Sequence, residues 1–72
     1  MRLAFAPRFR PCKVITVRNG SPLTYRLMEL GLIEGAQVEV MGAAPLGDPL
    51  QIRCGDSRLS LRREEAELID VA

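Results

Sequence analysis

Turn-forming residues interrupt this chain so often that every segment between them is short. Asn19–Gly20, the "GLIEG" stretch at 31–35, "APLGDP" at 44–49 and Gly55–Asp56 recur roughly every 8–12 residues. Between these breaks lie runs with the period of a half-buried strand. "CKVITV" (12–17) is β-rich, although the adjacent Val14 and Ile15 leave its buried face undefined. In "AQVEVM", Val38 and Val40 alternate with Gln37 and Glu39, and in "PLQIRC", Leu50, Ile52 and Cys54 alternate with Gln51 and Arg53. "SRLSL" places Leu59 and Leu61 inward, residues 62–67 read as one helical turn, and "LIDV" as a closing strand. Five short strands separated by turns predict a mainly β fold, a small barrel with one short helix.

That helix starts after the first turn. Ser21 is suited to cap it, and Pro22 to the first helical position, where no amide hydrogen is needed. Leu23, Leu27 and Leu30 form an apolar stripe, while Arg26 and Glu29 are spaced to pair on the wet side. Gly31 ends the helix by accepting a left-handed backbone, which sets Leu32 against Leu27.

Composition excludes more than it assigns. A chain of 72 residues, 47% hydrophobic, supports one small core and is too apolar to stay disordered. The net charge of +1 gives no bulk attraction to nucleic acid or to anionic membranes. Basic residues gather in the first 18 positions and acids at the end, an offset that pairs the two termini in space. No apolar run reaches secretory or membrane length, so a soluble intracellular protein is expected. Cys12 and Cys54 lack CxxC spacing and there is no histidine, which leaves no zinc set and no triad base. Two small buried cysteines are expected in preference to a disulfide. Glu64, Glu65 and Glu67 read as a solvated charge run, and no glycine pattern matches a phosphate loop. No enzyme activity, cofactor or metal site is therefore expected. Phe5 and Phe9 accompany Arg8 and Arg10 in a segment that reads as a nucleic-acid arm or as an extra edge strand.

Two stretches narrow the reading. "RLMELGLIEGAQVEV" (26–40) followed closely by "APLGDPLQI" (44–52) resembles the FeoA family, ferrous iron transport protein A, and "SLRREEAELIDV" (60–71) is similar to the end of that family's domain. The resemblance runs from Val14 to Val71 within a single 1–72 domain, with residues 1–12 poorly matched. It implies an SH3-like β-barrel and a cytoplasmic accessory of ferrous iron uptake. The implied partner is FeoB, the membrane transporter with a GTP-binding cytoplasmic region, with membrane contact only through that partner. The same domain closes iron- and manganese-responsive repressors, so a nucleic-acid-binding or metal-responsive regulatory module is the alternative. A weak homodimer through an exposed strand edge is also compatible with the pattern.

Within "APLGDPL" (44–50), Pro45 fixes its own φ, Gly47 is free to take positive φ, and Asp48 is placed to hydrogen-bond nearby backbone. These choices explain a rigid loop but not a leucine at its tip. Leu46 is expected either to plug the barrel end or to meet a partner at little entropic cost. Leu46, Gly47 and Asp48, together with the Leu32–Ile33 turn, are the candidate partner-binding residues.

Overall fold

A computed structural model describes residues 1–18 and 22–72, so the Asn19–Gly20 turn and the Ser21 cap lie outside the described residues. Strands β1 (Cys12–Val17), β2 (Gln37–Ala43), β3 (Leu50–Cys54), β4 (Ser57–Leu61) and β5 (Ile69–Val71) form one antiparallel sheet in the order β4-β3-β2-β1-β5. Helix α1 (Pro22–Glu29) links β1 to β2, and the single turn α2 (Arg63–Ala66) links β4 to β5. The outer strands β4 and β5 do not pair with each other, so hydrogen bonds leave the barrel unclosed.

β1 serves two neighbours. Cys12 and Lys13 pair with Val38 and Gln37 of β2, whereas Val14, Thr16 and Val17 pair with Val71, Asp70 and Ile69 of β5. The register slips between Val14 and Thr16, leaving Ile15 as a bulge half-exposed to water. That bulge resolves the adjacent Val14 and Ile15: Val14 faces the core and Ile15 leaves it. A second slip at Met41 bends β2 against β3. The two-residue hairpin at Gly55–Asp56 takes φ of +59° at Gly55, the position where a type II′ turn requires glycine.

At the end of α1, Gly31 has φ of +97°, its amide donates to Met28 O, and the Leu32 amide donates to Leu27 O. This is the Schellman closure, with Leu27 and Leu32 both fully buried. Two expectations for this helix need correction. Leu30 is 39% exposed, because the chain reversal at Gly31 delivers Leu32 to the core in its place. Arg26 pairs with Glu65 of α2 at 3.6 Å, not with Glu29, because the buried Glu65 carboxylate attracts a cation more strongly than a solvated one does. The buried polar residue of α1 is Thr24, whose hydroxyl donates to Arg18 O at 2.8 Å.

The core gathers Leu27, Leu32, Ile52, Leu61 and Ile69, and it also takes Leu3 from the N-terminal segment. Residues Leu3–Phe5 form a 3-10 turn against α2 and β5. Ahead of it, Met1 exchanges backbone hydrogen bonds with Val71, and Arg2 bridges Asp70. The first two residues thus cover the outer edge of β5, Leu3 and Ala4 fill the core, and the segment is not a free arm. Arg18 meets Asp70 at 3.3 Å, joining the basic N-terminal part to the acidic end as the charge offset predicts. β4 keeps an outer edge carrying exposed Ser57, Arg58 and Ser60, where a dimer by strand addition would have to form.

Cys12 and Cys54 are buried free thiols. Both flank Val38, one from β1 and one from β3, so two strand spacings, about 10 Å, separate their backbones. A disulfide bridges Cα atoms only up to about 7 Å. Among the described residues, no helix is long and apolar enough to cross a membrane.

Candidate functional site

The loop from Ala44 to Pro49 joins β2 to β3 and is tied at both ends. Ala44 N–H donates to Pro49 O, and Gly47 N–H donates to Ala44 O at 2.7 Å, closing a turn with proline in its second position and glycine in its fourth. Gly47 has φ of +86° and the Asp48–Pro49 peptide is cis. A third tie comes from α2. Arg63 donates from Nε and Nη2 to Gly47 O, at 3.2 and 3.0 Å, while its Nη1 reaches Ala4 O at 3.0 Å. Asp48 Oδ1 accepts the Arg63 backbone N–H at 3.0 Å, satisfying a donor that the start of α2 leaves free.

On this scaffold Leu46 is 97% exposed and does not plug the barrel end. Such a side chain makes almost no contact with its own domain, so its apolar surface is available to something else. Gly47 and Asp48 adjoin it and hold the loop through Arg63. Because one guanidinium binds Gly47 O and Ala4 O together, the loop is fixed against the N-terminal 3-10 turn.

The Leu32–Ile33 turn does not join this group. Leu32 is fully buried, since the cap at Gly31 folds it under α1; it is a core residue and presents no surface. Ile33 is half-exposed but precedes β2, whereas Leu46 follows it. The length of β2 separates the two turns by roughly 15–20 Å. One side chain that the spacing left unassigned completes the loop, Arg63. Its contacts with Gly47 and Ala4 span 16 and 59 positions, beyond any local periodicity.

Elsewhere the polar groups hold the fold. Glu65 is buried, with Oε1 accepting the Arg62 N–H at 2.7 Å and Oε2 facing Arg26. It borders an open cleft of about 340 Å³ shared with Leu23, Pro49 and Ser60. Arg53 and Glu39 pair at 2.9 Å across the outer face of β2 and β3. Among the described residues, no three His, Cys, Asp or Glu side chains converge as metal ligands.

Known proteins resemble this chain in sequence and in arrangement. The family model for the FeoA domain matches residues 1–72. A Fe(2+) transport protein A/Fe(2+) transporter FeoB fusion protein of Porphyromonas gingivalis is 36% identical over 58 residues. That match covers 81% of this chain but 7% of the fusion protein. The solution structure of the FeoA protein from Chlorobium tepidum is 39% identical, with a TM-score of 0.89 over 99% of this chain and 68% of that one. The zinc-complexed FeoA of Stenotrophomonas maltophilia, described as a procaryotic SH3 domain protein, is 30% identical. It superposes with a TM-score of 0.88 over 100% of this chain and 89% of its own. The fold is accordingly SH3-like, and the chain belongs to the FeoA domain family.

Proposed function

We propose that the protein is a small cytoplasmic accessory of ferrous iron uptake. It acts by binding the cytoplasmic GTP-binding region of a FeoB-like transporter, without chemistry of its own. One observation carries this reading: in the P. gingivalis relative, the matching domain and an Fe(2+) transporter are one polypeptide. A covalent link keeps the two at a high effective concentration, which is useful where they touch. The contact is assigned to the Leu46 tip, with Gly47 and Asp48 shaping the loop, because a pre-ordered loop loses little entropy on docking. Ile33 would join only if the partner spans the length of β2.

The test is a pull-down with the transporter's cytoplasmic region, with and without guanine nucleotide. Leu46→Asp should leave the melting temperature unchanged, since a side chain 97% exposed has no packing to lose, and it should remove the association. Retention of the partner by this variant at wild-type strength would move the surface elsewhere. Failure of the wild-type chain to bind under every nucleotide condition would overturn the reading itself.

A further inference from the structure

Phe9 is the only non-glycine residue described with positive φ, at +62°. Asparagine or glycine takes that conformation with less strain than an aromatic residue does. The backbone is pinned there by the Phe9 N–H donating to Val40 O at 2.8 Å and by the parallel bridge of Arg8 to Val40. Yet the ring is 65% exposed and gains little inside the domain to offset the strain. Phe5, four residues earlier, is equally exposed, and Arg8 and Arg10 on either side of Phe9 are exposed as well. Among the described residues, neither arginine forms an ion pair. The sequence holds no acid before Glu29, and Glu39, the neighbour of Val40 on β2, is already engaged by Arg53.

We infer that the segment from Phe5 to Pro11 docks on an anionic lipid surface, Phe5 and Phe9 entering the headgroup region while Arg8 and Arg10 meet lipid phosphates. Aromatic rings interleaved with unpaired cations are the composition that interfacial binding uses. With Arg8 and Arg10 exposed and unpaired beside the rings, the segment carries the charge complementary to an anionic lipid surface. Pro7 within the segment and Pro11 at its end limit the entropy lost on docking. Two free cations offer few phosphate contacts to a nucleic acid, whose binding scales with their number. This contact is direct and separate from the transporter contact proposed above.

The experiment is co-sedimentation of the full chain with vesicles at low salt. One set is equimolar phosphatidylcholine and phosphatidylglycerol, the other phosphatidylcholine alone. The chain should pellet with the anionic set, stay in solution with the neutral set, and be released by added salt. Phe9→Asn should weaken vesicle binding roughly tenfold while keeping or raising the melting temperature, because asparagine accepts positive φ. Arg8→Gln combined with Arg10→Gln should weaken it by a similar factor at unchanged melting temperature. The assignment fails if the wild-type chain ignores anionic vesicles, or if these variants bind as well as wild type. It also fails if the chain is retained on a single-stranded oligonucleotide and not on vesicles.

Discussion

At Gly31 the backbone sets the residue type. A Cβ there would meet only Cys54 Sγ, at 3.8 Å, so space is available and the penalty comes from φ of +97° alone. Gly31→Ala should cost about 1–2 kcal/mol, with Gly31→Asn losing less, and thermal denaturation of the two variants checks the order. This cap was legible in the sequence because all its partners lie within five residues. The strained Phe9 was not, because nothing nearby in the sequence asks for positive φ at a phenylalanine. Cys54 adds a pH dependence. Burial raises its thiol above the ordinary value of 9.0, so the unfolded chain releases this proton first. The contribution is intact below about pH 9.0 and is lost as pH rises towards the higher folded value. Wild type should lose stability on the alkaline side more steeply than Cys54→Ala in denaturant titrations across that range.

Among the elements, α2 departs furthest from what its composition suggests. Its charges read as a solvated run, but Glu65 is buried and Arg63 joins α2 to the 44–49 loop and to the N-terminal 3-10 turn. Removing the guanidinium deletes three hydrogen bonds to two carbonyls, each worth about 1 kcal/mol net. Arg63→Met should therefore destabilise the domain by roughly 2–3 kcal/mol, and hydrogen exchange should show earlier opening at Gly47. Strands were easier to recognise. Alternation in β2 and β3 reports a buried face directly, since a period of two survives any twist of the sheet. Bulges break that period, and the adjacent Val14 and Ile15 were their only trace in β1. The separation of Ile33 from Leu46 follows from the length of β2, a strand whose alternation already stood between the two turns in the sequence.

For the molecule as a whole, the number of strands followed from turn spacing, whereas the role of the first residues did not. Leu3 stands in a stretch with no periodicity, and its place in the core depends on a sheet built from residues far along the chain. A domain of 72 residues has about 4–11 kcal/mol of total stability, so Leu3→Ala, at about 2–4 kcal/mol, should remove a substantial share of it. Denaturant melts of this variant test that, and an unchanged midpoint would show that the barrel stands without its N-terminal turn. The pairing of Met1 with Val71, together with the exchange of hydrogen bonds between Lys13 and Ala72, has a further effect. Chain entering and chain leaving the domain do so side by side. The unit can hang from a longer polypeptide like a bead on a doubled thread, joined at its front, at its back or within a host loop, without stretching either strand of the thread.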